Sequence, residues 1–259
     1  MRRAPRSTST DCWRSASPPR RPLRSSSVTA VIAAAGSGKR LGAGGPKAFV
    51  PLVGRPMVEW SIAACRAATS VRSIVVACPP GHIHELAGSD LGVVDGGATR
   101  AQSVSNALEA VGTELVAIHD AARPLVTPEL IEDVVATLAA DPEAAGAIAA
   151  TPVADTVKQV SKPSRAPLGS TESPKGAHIV ESTLNRERLW AVQTPQVFRV
   201  KALREALAGD PERIAAATDE AMLIEAAGGK VLIHPSPPEN LKVTTRVDLK
   251  LAEFLLLDR

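Results

Sequence analysis

Val28-Thr29-Ala30-Val31-Ile32-Ala33-Ala34 runs directly into Ala35-Gly36-Ser37-Gly38-Lys39-Arg40-Leu41-Gly42-Ala43-Gly44-Gly45-Pro46-Lys47. The first stretch is an apolar run long enough for a buried strand, and the second is a glycine-rich loop carrying cations. Two familiar phosphate-binding patterns fail here. The dinucleotide fingerprint G-x-G-x-x-G fits at Gly36 and Gly38 but meets Leu41 at its third glycine. The P-loop G-x-x-x-x-G-K-[ST] fits at Gly38-Lys39 but has Ala33 for its first glycine and Arg40 for its hydroxyl residue. What remains is a loop that lets backbone N–H groups approach phosphate oxygens, with Arg40 and Lys47 to offset their charge. The competing reading is a surface turn whose cations are merely solvated.

Outward from this loop, strand and helix patterns alternate. Val71–Cys78, Leu91–Val94, Leu115–His119 and Gly146–Ala150 read as further strands, and Met57–Ala68, Arg100–Val111 and Pro128–Ala139 as helices. The spacing implies βαβ units: an α/β fold, a Rossmann-like, mostly parallel sheet flanked by helices. Ligands on such sheets sit beyond the carboxyl ends of the strands. Asp155–Val160 and Ala177–Thr183 read as exposed strands around a polar stretch, Ser161–His178, rich in Pro and Gly. Val200–Ala208, Asp219–Ala227 and Thr244–Leu257 read as helices and Lys230–His234 as a strand. We expect one domain over residues 28–259, with an inserted arm at about 151–185.

Charge is unevenly placed along the 259 residues. Met1–Ser27 holds seven Arg, seven Ser, four Pro and one Asp, a local charge of +6; the whole chain is +3, so residues 28–259 carry −3. This leader reads as disordered. It is either a functionless extension from an upstream start codon or an organelle transit peptide, which would place the protein in a plastid rather than the cytoplasm; we take the cytoplasmic reading. Three Phe, three Trp and no Tyr argue against base stacking on aromatic platforms, so no nucleic-acid partner is expected. No apolar run reaches ~18 residues, so no membrane span is expected either. Cys12, Cys65 and Cys78 have no metal-ligand spacing and fit a reducing compartment.

Other strand ends are also polar. Asp95-Gly96-Gly97-Ala98-Thr99-Arg100-Ala101-Gln102-Ser103 leads into a helix; its peptide groups and the Ser103 hydroxyl suit a base edge, or it is simply a tight turn. In His119-Asp120-Ala121-Ala122-Arg123-Pro124, Asp120 suits Mg²⁺ or, alternatively, an ion pair with Arg123. Lys242 supplies a third cation.

In order along the chain, Gly36-Ser37-Gly38-Lys39-Arg40 with Pro46-Lys47, Asp95-Gly96-Gly97, His119 to Pro124, Asp155-Thr156, Gln193-Thr194-Pro195-Gln196, Thr218-Asp219-Glu220-Ala221 and Asn240-Leu241-Lys242-Val243-Thr244 resemble the 2-C-methyl-D-erythritol 4-phosphate cytidylyltransferases of the non-mevalonate isoprenoid pathway. The resemblance runs from about Val28 to Leu257. It implies that CTP and methylerythritol phosphate are substrates, that a divalent cation such as Mg²⁺ is the cofactor, and that the arm makes a homodimer. It implies that Arg40, Lys47, Lys242 and Arg186 are catalytic and that Ala35, Gly36, Gly38, Gly97, Ser103 and Lys242 bind the nucleotide. It implies Asp120, Ala121, Arg123, Thr156, Arg186 and Thr194 for the second substrate, some of them lent by a neighbouring subunit, with Asp120 at the metal. Relatives often carry an acid after Gly-Gly; Ala98 stands here, so cytosine contact falls to the backbone. Arg186 rather than Arg188 matches the family by its distance to Leu189-Trp190.

Alternatives on the same residues are a cytidylyltransferase for another alditol phosphate such as ribitol 5-phosphate, a non-catalytic nucleotide sensor, and an NAD oxidoreductase, against which Leu41 counts. His82, His84 and His119 read as surface or structural histidines. Thr218 is expected to cap a helix with Asp219 and Glu220 in its first turn, and Leu251–Leu257 to face the core. Ser37 has no evident His–Asp relay.

Overall fold

The computed structural model describes residues 27–36, 38, 40–42, 45–86, 90–161 and 178–259. The leader, Ser37, Lys39 and most of the Ser161–His178 stretch lie outside the described residues. The strands are β1 (Val28–Ala33), β2 (Pro51–Leu52), β3 (Arg55–Pro56), β4 (Val71–Cys78), β5 (Gly92–Asp95), β6 (Leu115–Asp120), β7 (Ala144–Pro152), β8 (Lys158–Val160), β9 (Val180–Thr183), β10 (Trp190–Arg199) and β11 (Lys230–Pro235). The helices are α1 (Met57–Ala67), α2 (Arg100–Leu108), α3 (Pro128–Ala139), α4 (Val200–Leu207), α5 (Pro211–Ala216), α6 (Glu220–Ala226) and α7 (Arg246–Leu257).

Seven strands form one sheet in the order β11-β7-β10-β6-β1-β4-β5. Neighbours are parallel except around β10, which is antiparallel to both β6 and β7. The strand period of two divides each strand between two cores. Val28, Ala30 and Ile32 of β1 join Leu115 and Ala117 of β6 under α1 and α3. Val31, Val116 and Ile118 point the other way, against α2, α4 and α6. The chain leaves β1 toward β4 and β5, then returns over the opposite face through α2 to β6. The carboxyl ends of β1 and β6 therefore flank the point where strand order reverses, which is where such sheets open a crevice. At the other end of β1, Val28 N–H donates to Ser70 O at 3.0 Å, so the pairing begins with the first strand residue.

Three features depart from the expectations. Strand β10 was not anticipated, because Pro195 argues against a central strand. It is tolerated because the register with β7 breaks between Val192 and Gln196, where no ladder bond from Pro195 is required. Beyond the break Phe198 is fully buried and lies against Gly146, where an added Cβ would come within 2.5 Å of the ring. The cap of α6 is Asp219 rather than Thr218: its carboxylate accepts from Met222 N at 3.0 Å. Helix α7 buries Ala252 and Leu256 against Leu52 and Met57, but Val247, Phe254 and Leu257 are 65–74% exposed, so only one stripe of it faces the core.

Within the expected arm, the described residues give two short strands. β8 and β9 pair antiparallel, and Val160, Ile179 and Val180 stand exposed along them. No helix of the described residues is long and apolar enough to cross a membrane.

Candidate active site

A cavity of about 480 Å³ opens at the carboxyl ends of β1 and β6. Its floor and walls include Ala35, Gly36, Gly38, Arg40, Lys47, Gly97, Ser103, Asp120, Ala121 and Lys242, all anticipated, together with Thr99, Arg100 and Thr244. Two glycines make this convergence possible. Gly38 has φ +67°, the left-handed region, and a Cβ there would come 2.9 Å from the Lys47 Cβ. The loop thus closes on itself, with Lys47 N–H donating to Gly36 O at 3.3 Å, and Lys47 stands beside the glycines. Gly96 lets the β5–α2 turn approach β1: a Cβ there would come within 2.3 Å of the Ala35 Cβ.

Three N–H groups of that turn are engaged within the chain. Gly96 N–H donates to Cys78 O at 2.7 Å, Gly97 N–H to Ser103 Oγ at 3.0 Å, and Ala98 N–H to Gln102 Oε1 at 2.9 Å. Ser103 in turn donates to Thr99 O at 2.9 Å, so its hydroxyl braces the turn. The carbonyl oxygens of Gly97 and Ala98 are among the polar groups this turn has left to offer.

Asp120 organises the charge. Its Oδ1 accepts from Arg100 Nε at 3.1 Å and its Oδ2 from Lys242 Nζ at 2.6 Å, while a terminal nitrogen of Arg100 is bonded to Glu220. The Asp120–Arg123 pair does not form. Burial opposes ionisation of Asp120, but Arg100 and Lys242 outweigh it and hold the carboxyl well below its usual range. Glu220 is the reverse case: burial raises its pKa by more than Arg100 lowers it. Lys47 is pushed down to about 8, first by burial, then by Lys242, with Arg40 adding to the effect. Arg40, Lys47 and Lys242 therefore face one shared cavity and repel one another there. A polyanion entering it relieves that repulsion.

Four anticipated residues lie elsewhere. Arg123 is buried and donates to Asn240 O at 2.7 Å and Val192 O at 3.3 Å. Thr194 is buried beneath Asp120. Burial lowers the His119 pKa to about 4, so the ring is neutral at pH 7. Its Nε2 lies 3.2 Å from Arg123 O and must donate, which leaves Nδ1 to accept from the Thr194 hydroxyl at 3.0 Å. The hydroxyl then accepts from Asp120 N–H at 3.0 Å. Arg123 and Thr194 thus hold the Asp120 backbone from below. Thr156 and Arg186 are exposed at the base of the arm, where Arg186 donates to Ala154 O.

Sequence reasoning missed Arg100 and Glu220 as part of this site. They are 120 residues apart, and the available signal was their position in two of the quoted segments, Asp95–Ser103 at the end of β5 and Thr218–Ala221 between α5 and α6. Lys242 is delivered by a buried clamp: Asn240 Nδ2 donates to Gln193 Oε1 at 2.8 Å and to Thr194 O at 2.9 Å.

A reversal point lined by Arg40, Lys47 and Lys242 suits a nucleoside triphosphate, and the class it fits is the nucleotidyltransferases. The family is narrower than that class. The chain belongs to the 2-C-methyl-D-erythritol 4-phosphate cytidylyltransferase family, IspD, whose model matches residues 28–258. It is 43% identical over 242 residues to the cytidylyltransferase of that name from Frankia casuarinae, covering 92% of this chain and 84% of that protein. The Saccharopolyspora erythraea protein of the same name is 40% identical, with 89% and 99% covered. Among solved structures, the Thermus thermophilus enzyme superposes with a TM-score of 0.69 at 33% identity over 87% of this chain and 97% of that one. The bifunctional IspDF of Campylobacter jejuni matches with a TM-score of 0.70 at 26% identity, over 87% of this chain and 54% of that one.

Proposed function

We propose that the chain transfers a cytidylyl group from CTP to 2-C-methyl-D-erythritol 4-phosphate. A phosphate oxygen of the alditol phosphate attacks the α-phosphorus, the bond from that phosphorus to the bridging oxygen breaks, and pyrophosphate leaves. The products are CDP-methylerythritol and pyrophosphate. The substrate brings its own nucleophile, so the protein's work is alignment and neutralisation. The observation that carries this reading is that Arg40, Lys47 and Lys242 line the same cavity.

Arg40 and Lys47 neutralise the triphosphate and the pentavalent transition state, and Lys242 moves from Asp120 to the α-phosphate. Ala35, Gly36 and Gly38 let the backbone lie against the nucleotide. The β5–α2 turn, with the N–H groups of Gly97 and Ala98 engaged, offers their carbonyl oxygens to the exocyclic amino group of cytosine; the uracil O4 has no proton to give them. Asp120 and Ala121 meet the second substrate. Mg²⁺ is commonly held by one or two carboxylates and substrate phosphates, and Asp120 fits that donor set. Among the described residues there is no group of three or more His, Cys, Asp or Glu that forms a metal cage, which suits an ion arriving with the triphosphate. When bound, the ion supplies further charge neutralisation at the phosphates.

Thr156 and Arg186 do not line their own chain's cavity, which supports their delivery to a partner's. An isolated two-stranded hairpin is marginal in water, and the apolar side chains exposed on β8 and β9 favour a homodimer built through the arm. We place the enzyme in the cytoplasm, where nucleoside triphosphates are available. The test incubates purified protein with CTP, Mg²⁺ and either methylerythritol phosphate or ribitol 5-phosphate and measures pyrophosphate. Release with methylerythritol phosphate is expected; preference for ribitol 5-phosphate overturns the assignment.

A further inference from the structure

The two cations on Asp120 differ in freedom. Lys242 has a side chain 43% exposed and Asp120 as its acidic partner. Arg100 is 25% exposed and is tied at its other end to Glu220, whose side chain is 1% exposed. Glu220 itself is fixed. It opens α6, and the neighbouring Asp219 carboxylate accepts from both Met222 N and Gln196 Nε2, each at 3.0 Å, joining the helix start to β10. The result is a row of alternating charge, Glu220–Arg100–Asp120–Lys242, anchored in the core at one end and open to the cavity at the other.

We propose that Glu220 is a positioning residue for the transfer reaction: it commits Arg100 to Asp120, so that Lys242 is the cation released to the substrate phosphate. The proposal rests on the reading of Asp120 and Lys242 as residues that face the substrates. Arg100 and Lys242 both line the cavity, so an incoming triphosphate competes with acids for both. Arginine presents several donors in a rigid fork, whereas lysine is a single charge on a flexible stem. With Glu220 on one arm of the fork and Asp120 on its Nε, Arg100 is engaged twice and Lys242 once. Without the Glu220 charge the order inverts: Arg100 turns to the phosphates and Asp120 keeps Lys242. CTP still meets a full set of cations, but the α-phosphate is held by the wrong one.

That inversion has a kinetic signature that a general loss of packing does not share. Glu220→Gln is expected to lower kcat about tenfold, the lower end for a lost orienting partner, while the Kd for CTP by calorimetry and the KM for CTP do not rise. Glu220→Asp, which keeps the charge, should recover most of the rate. Arg100→Lys cannot span both acids: its single ammonium is drawn to the buried Glu220, Asp120 keeps Lys242, and the variant should reproduce the fall in kcat without a rise in KM; it decides the matter even if Glu220→Gln fails to fold. Parent-like kcat in Arg100→Lys or in a folded Glu220→Gln, or a loss expressed as higher KM with kcat intact, overturns the proposal. Asp120→Asn separates the two levels. If it turns over normally, the reading of the site is at fault; if it is crippled while Glu220→Gln and Arg100→Lys are not, only the positioning role falls.

Discussion

The cavity and the arm are built by opposite means. At the cavity, a charged side chain is held on several sides before any substrate arrives: Asp120 is fixed through its backbone by Thr194 and through its carboxylate by Arg100 and Lys242. At the arm, Thr156 and Arg186 sit on a hairpin whose apolar residues face outward. On the proposed reading, what enters the cavity meets groups preorganised by burial within one chain, whereas the share of the alditol phosphate site supplied by Thr156 and Arg186 depends on what covers the arm.

The sharpest way to break this contrast is to remove charge from the ordered half. Lys47→Ala should lower kcat ~10²-fold or more, the scale for losing one preorganised transition-state donor, with the fold intact by circular dichroism. A next, smaller effect belongs to the arm. Arg186→Ala should raise the KM for the alditol phosphate about tenfold or more, as for a lost hydrogen bond to a charged group, and leave CTP affinity unchanged in a binding titration.

A third effect is set by pH. Lys47, lowered to about 8, is neutral in the free enzyme above that value, so kcat/KM for CTP should fall about tenfold per pH unit on the alkaline side. Lys47→Arg keeps its charge and should remove that limb. Stability moves the other way. Between about 8 and the ordinary lysine value of 10.5 the unfolded chain binds a proton that the folded chain has lost, so Lys47 makes unfolding harder as pH rises through this window. Thermal melts at pH 7.5 and 9.5, compared between the parent and Lys47→Met, isolate that contribution. Smallest of all is the effect of Val180→Asp on the body of the molecule: Tm should shift by no more than about 2 °C, as for a surface substitution, while sedimentation velocity reports a monomer.

Much of the parallel sheet was legible because its central strands are buried on both faces and read as unbroken apolar runs, such as Ile74–Cys78 within β4, ended by Gly, Pro or polar residues. β10 was not, because Gln193, Thr194 and Gln196 are polar and Pro195 interrupts them; they are buried as a hydrogen-bonded network that only the folded chain supplies. The cavity was legible through its glycines and cations, which carry their chemistry locally. Arg100 and Glu220 were not, since nothing local distinguishes a paired buried acid from an ordinary acid in a helix's first turn. The exposed side of α7 misled for a related reason: Leu251–Leu257 is apolar nearly all round, and composition does not say which stripe meets Leu52 and Met57.

Pairing that starts at Val28 has a practical side. The glycine loop lies at the opposite tip of β1, roughly 17 Å away at the usual rise per strand residue. A tag, tether or fused protein joined ahead of Ser27 therefore emerges on the side remote from catalysis, and the enzyme can be immobilised through that point with its mouth facing outward.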